Sequence, residues 1–81
     1  MLTAAKRMEP SIRQRVEAAA RKRFAETGYR KLKRIECLYR DGTVTLRGKV
    51  PSYYHKQLAQ ESIRNAPHVT QIVNQLEVVP R

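Results

Sequence analysis

The sequence contains little of the side-chain chemistry that catalysis or metal binding requires. Its single cysteine, Cys37, excludes an intramolecular disulfide and a metal cluster built on cysteines. Its single aspartate, Asp41, and its two histidines, His55 and His68, do not have the number or spacing of an acid–base set or a zinc site. We therefore predict that the protein is not an enzyme and that it binds no cofactor and no metal.

Long apolar runs are also missing. No stretch approaches the roughly 20 apolar residues that cross a bilayer as a helix. The opening residues, MLTAAKRMEP, lack the apolar core of a signal peptide. As it stands, the chain is therefore expected in the cytoplasm, either free or peripherally associated with a membrane. If it is a piece of an exported protein, a periplasmic location is expected instead.

Acidic residues are scarce, and the surplus of positive charge is uneven. The chain has 17 Lys and Arg against 7 Asp and Glu. Residues 1–49 hold 14 basic and 5 acidic residues, a net of +9, and residues 50–81 hold 3 and 2, a net of +1. Such asymmetry favours an anionic partner: an anionic lipid surface, nucleic acid or an acidic protein. The alternative is a solvated surface whose charge serves solubility alone.

The first regular element is a helix. Ser11 and Gln14 have the spacing of a capping box, and Gly28 is typical of the position just after a helix end. Between them, apolar residues recur at spacings of three and four, at Ile12, Val16, Ala19, Ala20 and Phe24. The pattern predicts a helix over residues 11–27.

Two strands joined by a tight turn follow this helix. Asp41 and Gly42 form one of the strongest hairpin signals, and apolar residues alternate with polar ones on both sides of them. The inward positions are Ile35, Cys37 and Tyr39 in the first strand and Val44, Leu46, Gly48 and Val50 in the second. A glycine inside a strand often marks a close approach to the backbone, so we expect a helix to pack against Gly48.

A second helix and a third strand complete the pattern. Pro51 ends the second strand, Ser52 has the side chain of a helix cap, and Pro67 ends the helix. The segment from Val69 to Val79 is rich in β-branched residues and predicts a strand.

These elements predict an α+β fold. Its class is a two-layer α/β sandwich of order α-β-β-α-β, in which two helices cover one face of a three-stranded sheet. With 81 residues, one domain is expected. We place it at residues 11–79, after a flexible N-terminal segment at residues 1–10.

The stretch DGTVTLRGKVPS, followed by a helix and by APHVTQIVNQLEVVP, resembles the BON domain, a small α/β module of bacterial envelope, osmotic-stress and secretion proteins. The family pattern is matched at Gly42, Val44, Leu46, Gly48, Val50, Ser52, Val69, Ile72, Asn74, Leu76 and Val78. The resemblance implies a binding role without catalysis, commonly toward anionic phospholipids or envelope partners, and in a minority of cytoplasmic members a link to cation sensing. Two features depart from the pattern: His68 stands where the family usually has Gly, and the first half carries a heavy basic load.

The basic load marks the candidate site. The segment from Arg21 to Arg34 carries seven basic residues and one acidic one, and we expect it to form one anion-binding or phospholipid-binding surface. Its basic residues are Arg21, Lys22, Arg23, Arg30, Lys31, Lys33 and Arg34. Further contacts are expected from the open face of the sheet, at Arg40, Arg47 and Lys49. That face has no aromatic residue on which RNA bases would stack.

The sequence therefore predicts a non-enzymatic binding module that docks on anionic phospholipid or another anionic surface. Non-specific binding of nucleic acid and interaction with another protein are the alternatives. We expect a monomer.

Four further residues, Arg23, His55, His68 and Cys37, carry individual expectations. Arg23 lies on the apolar stripe of its helix, and we expect its stem to pack there while its guanidinium extends to solvent; the alternative is that it reaches a buried acceptor. His55 is expected at the edge of the core, and His68 in an exposed loop. Cys37 is expected to be a small core residue.

Overall fold

A computed structural model describes residues 11–80 of the chain. Its elements are helix α1 (Ile12–Glu26), a 3-10 helix (Arg30–Arg34), strand β1 (Glu36–Arg40), strand β2 (Thr43–Val50), helix α2 (Tyr53–Ile63) and strand β3 (Gln71–Val78). The order α-β-β-α-β and the α+β class are the predicted ones. The predicted flexible segment, residues 1–10, lies outside the described residues.

The ends of helix α1 follow from the residues that flank it. The Ser11 hydroxyl accepts a hydrogen bond from the Gln14 backbone N–H at 3.1 Å, and the Ser11 N–H donates to Gln14 Oε1 at 3.0 Å. This reciprocal pair satisfies two N–H groups that a helix start leaves without partners, as the capping box predicts. The helix ends before Thr27, and Gly28 then turns the chain with a φ of +81°.

The sheet has the order β1-β2-β3. Strands β1 and β2 are antiparallel and join through Asp41 and Gly42, which both have positive φ, at +46° and +86°. This backbone matches the right-handed twist of the strands and explains the preference for Asp-Gly. Strand β3 lies parallel to β2, with Asn74 opposite Leu46.

The core lies between the sheet and the two helices. One face of the sheet supplies Cys37, Val44, Leu46, Val50 and Leu76, α1 supplies Val16, Ala20 and Phe24, α2 supplies Ala59 and Ile63, and the chain before β1 supplies Leu32 and Ile35. Helices α1 and α2 also contact each other, so both cover the same face of the sheet. Within residues 11–80, no helix covers the opposite face, which we call the open face.

The approach to Gly48 differs from the prediction. The atoms nearest to where a Cβ would stand are Arg34 O and Ile35 Cα, both at 3.7 Å, and Leu76 Cδ2 at 3.8 Å. The neighbours are therefore the last residue of the 3-10 helix and the residue after it, at ordinary contact distances, and the expectation that a helix lying across the sheet approaches Gly48 closely was wrong. The glycine is required by its backbone, because its φ of +138° lies in a region that L side chains rarely adopt.

Side chains occupy backbone donors on both outer strands of the sheet. On β1, the Tyr39 N–H donates to Glu17 Oε2 of helix α1 at 3.1 Å. On β3, the Leu76 N–H donates to Asn74 Oδ1 at 3.2 Å, while Asn74 Nδ2 donates to the Lys56 carbonyl of helix α2 at 2.9 Å. Each contact bonds an outer strand to its own side chain or to a helix. It therefore reduces the number of backbone N–H groups that could pair with another chain.

The loop between α2 and β3 contains a strained residue. His68 is exposed, as predicted, and has a φ of +69°, in the left-handed region. Its carbonyl accepts a hydrogen bond from the Tyr39 hydroxyl at 3.0 Å. A side chain at this φ costs roughly 1–2 kcal/mol, which glycine avoids. The departure of His68 from the family's glycine therefore leaves the loop geometry in place but adds strain.

We predict that His68→Gly raises the free energy of unfolding by about 0.5–1 kcal/mol, since the relieved strain exceeds the added entropy of the unfolded chain. Urea unfolding of the two proteins measures the difference. His68→Ala is the matched control and should give no gain, because alanine at this φ retains the strain. Equal stability of the Gly and Ala variants would contradict this explanation.

The environment of Cys37 generates a second prediction. The thiol is buried, and burial, with a further contribution from the Glu17 carboxylate, raises its pKa from 9.0 to about 11, while Arg21 acts in the opposite direction. Between these values the unfolded chain loses the thiol proton and the folded chain keeps it. The contribution of the buried thiol to the free energy of unfolding is therefore fully present below pH 9 and is lost as the pH rises toward 11.

We expect the wild-type protein to lose stability between about pH 9 and pH 11 more steeply than Cys37→Ala, which has no thiol to titrate. Denaturant unfolding at a series of pH values measures both slopes. Tyrosines and lysines titrate in both proteins, so the difference between the slopes reports Cys37. Parallel slopes would show that the thiol does not titrate differently in the two states.

Candidate functional site

The 3-10 helix between α1 and β1 carries the densest charge of the described residues, and we call it the basic turn (Arg30–Arg34). Its one apolar residue, Leu32, is fully buried, at 0% exposure. The four remaining residues are exposed and line a cavity of about 480 Å³: Arg30, Lys31, Lys33 and Arg34. Burial of Leu32 thus fixes the centre of the turn and directs four cationic side chains outward around a shared concave surface.

The charges of the basic turn are not neutralised within residues 11–80. The ion pairs found there join Arg13 to Glu17 at 3.2 Å and Arg64 to Glu61 at 3.3 Å, and neither involves the turn. Four uncompensated cations around one cavity create a positive potential that an anion with several oxygens would neutralise. Arginine can bind such a group with two parallel hydrogen bonds, and lysine adds a mobile point charge.

A second groove adjoins the basic turn. It has a volume of about 210 Å³ and shares Lys31 and Arg34 with the first cavity, while its other walls are Lys49, Val50, Pro51 and Val79. Lys49 belongs to strand β2, so the groove connects the turn to the open face of the sheet. Of the residues predicted for that face, the structure therefore brings Lys49 to the basic turn.

Arg40 and Arg47 are exposed on the open face, one at each end of the β1–β2 ladder. Arg40 lies opposite Thr43, and Arg47 lies opposite Glu36. Neither lines the two cavities at the basic turn. Tyr39 points away from this face, as predicted, since its ring packs against the core.

An aromatic cluster adjoins the start of the basic turn, and the sequence analysis did not find it. Tyr29 immediately precedes the turn, and its ring meets that of Tyr54 edge to face, with centroids 5.9 Å apart. The His55 ring lies 5.2 Å from that of Tyr29, and its Nδ1 is 2.7 Å from the Ser52 hydroxyl. His55 is half-buried at the edge of the core, as expected. The hydrogen bond between the Tyr54 and Tyr29 hydroxyls raises the pKa of the Tyr54 phenol above its ordinary value.

The remaining predicted residues of the basic segment lie on helix α1. Arg21 and Lys22 are exposed. Arg23 is half-buried, and its guanidinium Nη1 donates to the carbonyls of Ser62 at 3.2 Å and Arg64 at 3.4 Å. The expectation that the guanidinium extends to solvent was therefore wrong, because the end of α2 offers it two backbone carbonyls. A cation here also complements the negative end of the α2 dipole.

The described residues also form a cavity away from the basic turn. A cavity of about 450 Å³ between α2 and β3 is lined mainly by uncharged polar side chains, with Glu61 and Arg64 at its rim. Residues 11–80 hold no group of three or more His, Cys, Asp or Glu side chains arranged to bind a metal ion. Over the same range, no helix combines the length and the apolar character needed to cross a bilayer.

Comparison with known proteins identifies the fold family. The family model described as the BON domain matches residues 12–80, which is most of the chain. The chain therefore belongs to the BON domain family, as its resemblance in sequence indicated. No curated protein matches the chain with significance.

The contacts of Arg23 predict a role in stability. Arg23→Met keeps most of the packed stem but removes both hydrogen bonds to the end of α2, and we expect a loss of about 1–2 kcal/mol in the free energy of unfolding. Arg23→Lys should recover part of it, because lysine keeps the charge at the helix end. Thermal and urea unfolding measure both variants. A Met variant as stable as the wild type would mean that these bonds contribute nothing net.

Proposed function

We propose that this BON domain docks on the anionic surface of a phospholipid bilayer through its basic turn. The observation that carries the proposal is the cavity lined by Arg30, Lys31, Lys33 and Arg34, none of which is ion-paired within the described part of the chain. The family is a non-catalytic binding module of a phospholipid-binding type, which supports a role of this class. The positive charge of the turn implies that the partner is negatively charged.

The number of charges suits an anionic bilayer. Clustered Lys and Arg side chains near an anionic leaflet contribute about 1 kcal/mol each, and four to eight of them mark sequences that bind such surfaces. The four of the basic turn, with Lys49 in the adjoining groove, fall within this range. Arg21 and Lys22 would add to the same attraction if they approach the bilayer when it binds.

Arg30, Lys31 and Lys33 should contribute most to the contact, because they are exposed and lie within one turn of backbone. Arg23 should contribute least, since its guanidinium is engaged at the end of α2. Arg40 and Arg47 lie outside the two cavities of the site and should act only at longer range. Their attraction is screened over about 8 Å at physiological salt.

Reversal of the three most exposed charges tests the proposal. We expect Arg30→Glu/Lys31→Glu/Lys33→Glu to reduce binding to phosphatidylglycerol-containing vesicles about 100-fold or more, because roughly 3 kcal/mol of attraction is replaced by repulsion. Co-sedimentation with vesicles measures binding, and circular dichroism checks the fold. Vesicles of phosphatidylcholine should bind neither protein.

The control is Arg15→Glu/Arg40→Glu/Arg64→Glu, which changes the net charge equally at exposed positions outside both cavities. It should lose only a few-fold in affinity through long-range attraction. Equal losses in the two triple variants would show that net charge alone governs binding. Tighter binding of a short DNA duplex than of anionic vesicles, through the same three residues and with a steep dependence on salt, would favour nucleic acid as the partner.

A further inference from the structure

Exposed apolar side chains are concentrated around the basic turn. The large hydrophobic residues exposed within residues 11–80 are Ile12 at 49%, Tyr29 at 39%, Tyr53 at 68%, Tyr54 at 58% and Val79 at 42%. Ile12 begins helix α1, about 21 Å from the end that leads into the turn. Of the other four, Tyr29 directly precedes the turn, Tyr53 and Tyr54 begin helix α2, and Val79 lines the adjoining groove.

Three of these residues lie next to the cations of the basic turn or contact a residue that does. Tyr29 directly precedes Arg30, and Tyr54 packs edge to face on Tyr29 with its hydroxyl 3.5 Å from that of Tyr29. Val79 lines the groove that it shares with Lys31 and Arg34. The cations of the turn are therefore adjoined by phenol rings at the start of the turn and by an aliphatic side chain in the groove.

This combination fits one partner better than others. A bilayer presents anionic phosphates and, a few ångströms deeper, the apolar start of the acyl chains. Tyrosine is enriched at this depth because its ring is apolar and its hydroxyl polar, while lysine and arginine extend to the headgroups. A free phosphate would need the cations but not the apolar rim. Nucleic acid would use rings with accessible faces for stacking, whereas the Tyr29 and Tyr54 rings meet at 70°.

We propose that Tyr29, Tyr54 and Val79 insert into the interfacial layer of an anionic bilayer while the basic turn binds the headgroup phosphates. The inference rests on the proposed function and adds to it the depth and orientation of the bound domain. The end formed by the basic turn, the start of α2 and the chain after β3 faces the membrane. Ile12, at the other end of α1, stays in water.

The absence of tryptophan from the chain makes insertion directly measurable. Val79→Trp and Ile12→Trp each introduce a single tryptophan at an exposed apolar position, one in the proposed contact and one outside it. With phosphatidylglycerol-containing vesicles, we expect the emission of Val79→Trp to shift to the blue and to be quenched by lipids brominated near the top of the acyl chain. The emission of Ile12→Trp should change in neither respect.

Affinity provides the second measurement. We expect Tyr29→Ser/Tyr54→Ser/Val79→Ser to bind the same vesicles at least 10-fold more weakly, while Ile12→Ser binds as the wild type does. Tyr29→Phe/Tyr54→Phe should retain most of the affinity, because the ring remains. If the triple Ser variant does not fold, the tryptophan measurement still tests insertion, because Val79→Trp replaces only one side chain.

The outcomes separate this inference from the proposed function. If wild-type protein binds anionic vesicles through the basic turn but Val79→Trp is neither shifted nor quenched, and the triple Ser variant binds normally, the domain rests on the headgroups and the insertion proposal is overturned. If wild-type protein binds no anionic vesicle, both proposals fail. Quenching of Ile12→Trp equal to that of Val79→Trp would overturn the proposed orientation.

Discussion

The candidate site depends on the burial of one side chain, Leu32. Four like charges in a five-residue helix form six repelling pairs, and each pair at the surface costs about 0.2–0.5 kcal/mol. Full burial of a leucine contributes about 1.5–3 kcal/mol. The basic turn packs against α1, α2 and β2, so Leu32 joins the core that holds both layers together. The core therefore maintains a concentration of charge that the turn would not hold by itself.

The outer strands of the sheet constrain where else a partner could bind. A strand edge with free N–H groups is the usual place for a second chain to pair. Here Glu17 accepts the Tyr39 N–H on one side and Asn74 accepts the Leu76 N–H on the other. Asn74 also bonds to the Lys56 carbonyl and to Gln60, so its amide joins β3 to α2. Each contact removes one donor from an edge of the sheet, whereas the basic turn offers four exposed cations around one cavity.

Local signals in the sequence were sufficient for most of the fold. The capping box at Ser11, the Asp41–Gly42 turn and the cap at Ser52 act within four residues, and the structure contains all three. The division of the chain into helices and strands follows from them, together with apolar periods of 3.6 and 2. The run of β-branched residues from Val69 to Val79 predicted the third strand, but no local signal could specify its parallel pairing with β2.

Features that depend on distant residues were harder to predict. A single leucine among four cations has no periodicity, so the basic turn looked like an irregular exposed segment, although Arg30, Lys31 and Lys33 were correctly expected to be exposed. Arg23 finds its acceptors 39 and 41 residues away. The neighbours of Gly48 come from the chain before β1, and the cluster of Tyr29 with Tyr54 joins residues 25 apart. Each of these contacts exists only after the two layers have packed.

The fold and the charge carry different kinds of information about function. The family match covers residues 12–80, and the motif positions Gly42, Gly48 and Asn74 serve the scaffold. The cations of the basic turn are not among the motif positions, and fold alone does not determine what a domain binds. Because attraction by its charges is screened beyond about 8 Å at physiological salt, they select a partner only at close range. At that range the surface also presents Tyr29, Tyr54 and Val79, and a partner that satisfies the cations without burying these side chains would leave apolar surface in water. A bilayer satisfies both at once, which is why charge and exposed apolar area together favour it over a soluble anion.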